Sequence, residues 1–165
     1  MLYMFKPITE LKCRKTKNVF KTLMEYWLQQ RRHTRKHIAA FPEKQLFAYT
    51  IGKIPSFGDM ALEQAFISGP GIRQLATGID DTLNVNRQKY RSKNTLLGLW
   101  DHSTVQIEYY AAEIDTNAGN GNIRLQHQLF ASLDDALWYF LKQETALSGY
   151  GNTYLNAMEV SPPLP

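Results

Sequence analysis

The chain has one cysteine, Cys13, so it forms no internal disulfide, and its 165 residues contain only short apolar runs. The longest of these runs fall well short of the roughly 18 residues that a membrane-spanning helix needs. The N-terminus lacks the basic start, long apolar core and small-residue cleavage site of a secretory signal. We therefore expect a cytoplasmic protein without a transmembrane segment.

The composition excludes two broad classes of protein. Hydrophobic residues make up 44% of the chain, aromatic residues 12% and charged residues 21%, which is typical neither of a disordered nor of a fibrous protein. A chain of this length folds as one domain and buries about two-thirds of its unfolded surface. We expect a single domain over residues 1–165, with 1–16 and 161–165 poorly ordered.

Charge is divided unevenly along the chain. Residues 1–53 carry 12 Lys or Arg against 3 Asp or Glu, whereas residues 54–165 carry 7 against 12. Such asymmetry indicates a basic region with an acidic partner. The partner is nucleic acid, an anionic membrane surface, an acidic protein or the acidic half of the same chain.

Apolar spacing predicts helices in the first half of the chain. Residues 17–40 read as one long, basic, amphipathic helix, which Pro42 ends. Residues 46–51 are predicted to form a strand. Asp59 is the expected N-cap of a helix to about residue 67, glycines and a proline at 68–71 break the chain, and a short helix over 71–77 stops at Gly78. A weaker pattern predicts another helix toward Tyr90.

The second half reads as a meander of strands followed by a helix. Strands are predicted over 96–100, 104–114 and 123–131, with turns at 101–103 and 117–122. Ser132 is expected to cap a helix that Gly149 ends, and 153–160 to add an edge strand. The resulting fold class is α+β, an antiparallel sheet of about four or five strands with the long N-terminal helix and the C-terminal helix packed on it.

A basic cluster at the end of the first helix is the main candidate for a binding surface. Its members are Arg31, Arg32, Arg35 and Lys36. Several cations on one face favour binding to a phosphate backbone, and the basic residues of 87–93 could add to this patch. The alternative is that these cations only complement the dipole of the helix C-terminus.

Three further groups of residues are candidates for chemistry. His33 and His37 have the i, i+4 spacing that can hold zinc, but Thr34 stands where a metalloprotease carries its glutamate, and cations surround the pair. Asp101, His102 and Glu108 could carry out acid–base chemistry, although turn formation explains them as well. His127 alternates with leucines and is predicted to be a core histidine. We assign no catalytic residues, metal or cofactor.

Residues 52–60, GKIPSFGDM, form the most distinctive segment of the chain. A glycine or proline recurs at every third position through Gly52, Pro55 and Gly58. A phosphate loop is excluded, because Ile54 follows Lys53 where a Ser or Thr is needed and Pro55 removes a backbone amide. The pattern indicates a stiff strand-to-helix corner, which either holds the fold or presents Lys53, Ser56 and Phe57 to another protein.

The same segment resembles a signature of the TagF/ImpM family, accessory proteins of the bacterial type VI secretion system. The matching positions are Gly52, Lys53, Pro55, Gly58 and Asp59, with Met60 in place of the usual phenylalanine. The family's second signature is absent, and the basic residues ahead of the corner have no counterpart in it. The resemblance implies a non-enzymatic regulator that acts through protein contacts.

Three functions are compatible with these patterns. The leading hypothesis is a non-catalytic interaction or regulatory domain with a protein partner, as an accessory of a bacterial secretion system. The alternatives are a nucleic-acid-associated accessory protein that uses the basic helix, and a small enzyme centred on Asp101.

Overall fold

The computed structural model describes residues 8–79, 86–115, 123–125 and 128–164, with side chains from Val19 onward. Four long α-helices account for most of them: α1 (Ile8–Ala40), α2 (Phe57–Thr77), α3 (Lys93–Glu113) and α4 (Leu133–Ala157). A 3₁₀ helix over Arg87–Tyr90 precedes α3, and β1 (Ile123–Leu125) pairs with β2 (Gln128–Phe130) in an antiparallel hairpin. The predicted α+β fold with a sheet of four or five strands is therefore wrong, since the described residues form a helical bundle with one two-stranded sheet.

The first helix is the best-predicted element. The expected helix over 17–40 lies inside α1, which begins earlier, at Ile8, and ends at Ala40, two residues before Pro42. Trp27, Ile38 and Met24 on its apolar face are buried. The predicted end is confirmed. Its physical reason is that Pro42 disfavours helical geometry in the residue before it.

Residues 46–48 lie in turns and 49–50 are irregular, so the predicted strand over 46–51 is wrong. Leu46 N–H donates to Pro42 O at 3.1 Å, and Tyr49 N–H donates to Gln45 O at 3.0 Å. Ile51 forms only an isolated bridge with Ile54. The apolar residues that suggested a strand are explained by burial, since Leu46 is fully buried in the core.

Helix α2 continues through the predicted break at 68–71. Pro70 lies inside it, although an interior proline costs about 3 kcal/mol. The flanking glycines allow close packing, because a Cβ at Gly71 would lie 2.4 Å from the Phe140 ring and one at Gly69 would lie 2.6 Å from Gln106 Oε1. The predicted stop at Gly78 is confirmed, with φ at 71°.

Helix α3 replaces two predicted strands and the turn between them. Ser92 and Thr95 form a reciprocal capping box at its start. Its buried residues recur at helical spacing: Leu96, Trp100, Ser103 and Ile107. The β-branched and aromatic residues of 104–114 favour strands locally, but burial of one helical face overrides that preference.

The C-terminal region is also more helical than predicted. The expected single strand over 123–131 is a hairpin, and the predicted turn at 117–122 lies outside the described residues. Ser132 caps α4 as predicted, but the helix runs past Gly149 to Ala157, so the predicted edge strand over 153–160 is wrong. Residues 161–164 follow α4 without regular structure.

The core lies between two helix pairs. Helix α1 packs mainly on α4, and α2 mainly on α3. One apolar cluster surrounds Phe41, Phe57 and Trp100, and the other surrounds Trp27, Ile107 and Phe140. None of the helices in the described part of the chain is both long and apolar enough to cross a membrane.

Candidate functional site

The corner formed by GKIPSFGDM is anchored by hydrogen bonds to a buried side chain of α4. Gly52 takes a left-handed φ of 59°, and Ile54 N–H closes the turn on Ile51 O at 3.0 Å. The buried Tyr154 of α4 donates its hydroxyl to Pro55 O at 2.6 Å, with Ile54 O at 3.2 Å. Burial raises the pKa of Tyr154, which keeps the donating proton in place.

The helix start after this corner uses Ser56 as its cap. Ser56 Oγ accepts from Asp59 N–H at 3.1 Å and donates to Asp59 Oδ2 at 2.7 Å. The cap was predicted at Asp59, which instead lies at the third helical position, where its carboxylate accepts from the Ser56 hydroxyl. Arg91 pairs with Asp59. The predicted helix is thus present, but its cap lies three residues earlier.

Gly58 is required by close backbone packing. Its N–H donates to Leu46 O at 2.7 Å, and a Cβ on it would lie 2.6 Å from the same oxygen and 2.7 Å from the Phe47 ring. Gly52 and Gly58 therefore each have a structural explanation, whereas any residue at position 55 would supply the carbonyl that Tyr154 binds.

An open groove of about 410 Å³ lies beside this corner, between the first turns of α2 and the middle of α4. Its lining is mostly apolar: Pro55, Met60, Ile67, Ala146, Leu147 and Tyr150 contribute the apolar part, and Asp59, Glu63, Gln64 and Gln143 the polar part. Its two carboxylates are already paired, Asp59 with Arg91 and Glu63 with Arg87. The volume falls within the range of ligand pockets in proteins.

The predicted partner-binding residues of the corner separate into exposed and buried ones. Lys53 is exposed and forms no ion pair with the described residues. Ser56 and Phe57 are buried, at 1% and 0% exposure, and Phe57 stacks on Phe41 with ring centroids 4.6 Å apart. Of the three, only Lys53 is available at the surface of the folded chain.

Arg31 is the largest departure from the predicted basic surface. Its side chain is fully buried, Nη1 lies 3.0 Å from Glu144 Oε2, and its guanidinium lies 4.2 Å from the centroid of the Trp100 ring. Nε donates to Thr104 Oγ1 at 3.1 Å. Arg31 therefore joins α1 to α3 and α4, and it cannot contact a phosphate backbone.

Burial and pairing have opposite effects on the pKa of Glu144 and on that of Arg31. Burial raises the pKa of Glu144 and the Arg31 guanidinium opposes that rise, while burial also lowers the pKa of Arg31. The Thr34 hydroxyl lies close enough to favour the Glu144 carboxylate, yet neither Thr34 Oγ1 nor Glu144 Oε1 has a hydrogen bond within 3.5 Å. The guanidinium remains charged, because arginine does not deprotonate in proteins.

The other basic residues are largely engaged within the chain. Arg35 makes a two-pronged contact with Asp101, with distances of 2.6 and 2.9 Å, and Lys36 Nζ donates to Leu164 O at 3.0 Å. Arg87 and Arg91 pair with carboxylates of α2. Arg32 is exposed. Arg31 and Arg35 of the basic first third thus pair with carboxylates of the acidic remainder, which is one of the four partners that the charge asymmetry allowed.

The histidine pair hydrogen-bonds to protein groups. His33 Nδ1 lies 2.8 Å from Ser148 Oγ and its Nε2 lies 3.4 Å from Pro163 O, while His37 Nε2 lies 2.8 Å from Asn152 Oδ1. Within the described residues, no three His, Cys, Asp or Glu side chains come together in a way that could hold a metal ion. The side chains of Cys13 and His127 lie outside the described residues.

The acid–base group does not form a turn. Asp101, His102 and Glu108 all lie on α3, and Asp101 directs both carboxylate oxygens to Arg35. That hydrogen bond is the main cause that lowers the pKa of Asp101. His102 and Glu108 are exposed. None of the three lines the groove beside the corner.

Sequence reasoning missed Glu144 and Tyr154. Both lie on the buried stripe of α4, at helical spacing from Leu137, Phe140 and Leu141. A charged residue on an otherwise apolar helical face indicates a buried partner, since an unpaired buried charge is costly. That signal was available for Glu144, but it did not identify Arg31 as the partner.

Comparison with known proteins supports no family for this chain. No protein-family model matches the chain, and no curated protein matches it significantly. The resemblance to the TagF/ImpM signature therefore depends on residues 52–60 alone.

Proposed function

We propose that this chain is a non-catalytic interaction domain whose partner binds the groove between α2 and α4, which we call the corner groove. The observation that carries the proposal is an apolar groove of about 410 Å³ beside a turn that is anchored from the core. A preorganised surface loses little conformational entropy on binding. A cytoplasmic regulator of a secretion system fits this role, and the support for it is the resemblance of residues 52–60.

The expected partner is a protein segment with apolar side chains on one face and a carboxylate beside them. Apolar side chains suit the lining formed by Met60, Ile67 and Leu147. The acidic residue is inferred from Lys53, which is exposed two residues before Pro55 and has no carboxylate partner among the described residues. The carboxylates of the groove attract no further cation strongly, because Arg87 and Arg91 already neutralise them.

The proposal can be tested with a displayed library of amphipathic peptides. We expect enriched peptides to combine an apolar face with at least one acidic residue. Ala146→Trp should abolish their binding, because Ala146 is exposed and lines the groove. Thr145→Trp places the same bulk on the preceding residue of α4, which does not line the groove, and this variant should bind as the wild type does.

A charge reversal tests the role of Lys53. Lys53→Glu should weaken the binding of acidic peptides by up to about fivefold, which is the range of an exposed ion pair. The effect should be larger at low salt. Lys44→Glu, at another exposed lysine that lies farther along the chain from Pro55, is the control. Enrichment of peptides that Ala146→Trp still binds would refute the proposed surface. Enrichment of basic peptides would refute the acidic partner.

A photo-crosslinking residue at Tyr150 extends the test to the source cell. Tyr150 is 41% exposed and lines the groove. We expect a protein adduct whose crosslinked peptide has the same apolar and acidic pattern and which Ala146→Trp removes. Adducts with DNA or RNA instead would support the nucleic-acid alternative.

A further inference from the structure

A second feature, independent of the corner groove, lies where α1 ends against α4. The rings of His33 and His37 lie in contact, with centroids 4.4 Å apart and planes tilted by 45°. Both side chains hydrogen-bond to residues outside their own helix. His37 is fully buried and contacts the Phe57 ring edge-on at 6.2 Å between centroids. His37 therefore touches three elements: α1, α4 and the corner that begins α2.

The two histidines differ in how they can accept a proton. His33 Nε2 donates to the Pro163 carbonyl, and its Nδ1 meets the Ser148 hydroxyl, which can accept a hydrogen bond as readily as it donates one. The contacts of His33 therefore remain satisfied in the imidazolium form. His37 donates through Nε2 to Asn152 Oδ1, so its second nitrogen, Nδ1, is the site that takes up a proton.

A proton on His37 Nδ1 would have no hydrogen-bond acceptor. Nδ1 is buried and has no hydrogen-bond partner. It faces Gly151, where an added Cβ would lie 2.8 Å from Nδ1 and 2.6 Å from the ring carbon Cγ. A protonated Nδ1 would thus place a charged donor against the Gly151 backbone with nothing to receive it, which is costly in a buried position.

The surrounding charges do not compensate for an imidazolium at His37. From α1, the cations Arg31, Arg35 and Lys36 and the neighbouring His33 are close in the chain. From α4, Ser148 and Asn152 are uncharged, and Glu144 one turn away is paired with Arg31. The corner presents Phe57, and the C-terminal segment presents the carbonyls of Pro163 and Leu164 to His33 and Lys36. Asp101 of α3 is paired with Arg35.

We propose that His37 is an acid-sensing joint: when Nδ1 takes up a proton, the end of α1 separates from residues 148–155 of α4, and the corner at Phe57 loses its support. The direction of the pKa of His37 agrees, since burial is the main cause that lowers it. Leu147 and Tyr150 of the corner groove lie on the adjoining turns of α4. An effect of acid on partner binding would follow from this, and only that consequence rests on the proposed function.

The test needs no partner. Hydrogen exchange of the full chain is followed by NMR at about pH 7.5 and about pH 5.5, on either side of the ordinary histidine pKa. After correction for intrinsic rates, we expect protection to be lost at 57–60 and 148–155 at the lower pH, while α3 keeps it. His37→Gln, which cannot titrate, should show the same protection at both values, and His33→Gln should behave as the wild type does.

Two results would overturn the proposal. One is unchanged protection in the wild type at the lower pH, and the other is equal loss in the wild type and in His37→Gln. If His37→Gln fails to fold, the imidazole resonances of the wild type decide. His37 must then titrate at a lower pH than in the urea-unfolded chain, together with resonances of Phe57 and Asn152. Titration of His37 without change at those two residues would refute the joint.

Discussion

Arg31 and Glu144 form an ion pair between α1 and α4 in which both side chains are completely buried, with Nη1 3.0 Å from Oε2. Trp27 Nε1 donates to the same carboxylate oxygen at 3.4 Å, and Trp100 Nε1 donates to the Arg31 carbonyl at 3.2 Å. The two tryptophans thus enclose the pair and hold its members in register. The pair links the basic first third of the chain to its acidic remainder.

Breaking this pair on one side should destabilise the fold strongly. Glu144→Leu leaves a buried guanidinium without its counter-ion, which we expect to cost about 3–5 kcal/mol of unfolding free energy. Urea denaturation measures the loss. The double variant Arg31→Met with Glu144→Leu should recover most of it, because an apolar pair has no charge to desolvate. A double variant as unstable as the single one would contradict this account.

The exposed pair Arg35 with Asp101 is the matched contrast. Both side chains are about half exposed, at 46% and 48%. Asp101→Asn should therefore cost less than about 1 kcal/mol, and the loss should shrink further in high salt. A loss as large as that of Glu144→Leu would mean that exposure does not decide the strength of these pairs.

Gly58→Ala should be among the most damaging small substitutions. The added Cβ would meet Leu46 O and the Phe47 ring at 2.6 and 2.7 Å, and the opposing carbonyl belongs to the backbone and cannot rotate away. We expect a loss of about 1–3 kcal/mol, as for other overpacked sites. Gly98→Ala on α3 is the control, because nothing lies within 4 Å of its Cβ position. There alanine should stabilise the helix by about 0.5–1 kcal/mol.

Tyr154→Phe tests how the corner is anchored. The change removes the hydroxyl that donates to Pro55 O at 2.6 Å and leaves that carbonyl without this donor. We expect a loss of about 1 kcal/mol and faster hydrogen exchange at Lys53 and Ile54. Tyr150→Phe, on an exposed ring of the same helix, should leave both quantities unchanged. Equal exchange in the two variants would show that Tyr154 does not hold the turn.

Stability should depend on pH through His37. Because its pKa is lowered below 6.5 in the folded chain, the unfolded chain takes up a proton first as pH falls through that value. The stability that depends on a neutral His37 is therefore fully present above pH 6.5 and decreases below it. Burial of Glu144 raises its pKa and acts with the opposite sign at lower pH. The difference in Tm between wild type and His37→Gln, at about pH 7.5 and about pH 5.5, isolates the histidine term. A constant difference would contradict the prediction.

Local signals in the chain were sufficient wherever a helix end is marked by its own residues. Pro42 predicted the end of α1, Gly78 the end of α2 and Ser132 the start of α4, and all three predictions are confirmed. Each depends on the conformation of one or two residues, so no knowledge of distant contacts is needed. A corner leading into a helix was predicted at GKIPSFGDM, and the helix begins there at Phe57, but the strand expected before the corner is absent.

Signals that depend on distant packing were misread. The glycines around Pro70 resemble a loop, yet they let α3 and α4 approach α2, and Gly151 gives the same close approach to His37. The β-branched and aromatic residues of α3 favour a strand until Leu96, Trp100 and Ile107 are seen to share one buried face. Neither fact can be read before the partners across the core are known.

The charge distribution and the helix termini are thus properties of the sequence alone. Residue types and spacing predict an acidic partner for the basic region, a stiff corner at 52–60 and three helix ends. The tertiary structure decided which carboxylates pair with two arginines of that basic region. Arg31 and Arg35 turn toward Glu144 and Asp101, residues 113 and 66 positions away, and Phe57 turns into the core while Lys53 stays outside. Which side chains pair and which are buried depends on which groups lose their contact with water in the fold. That is decided only when all four helices pack.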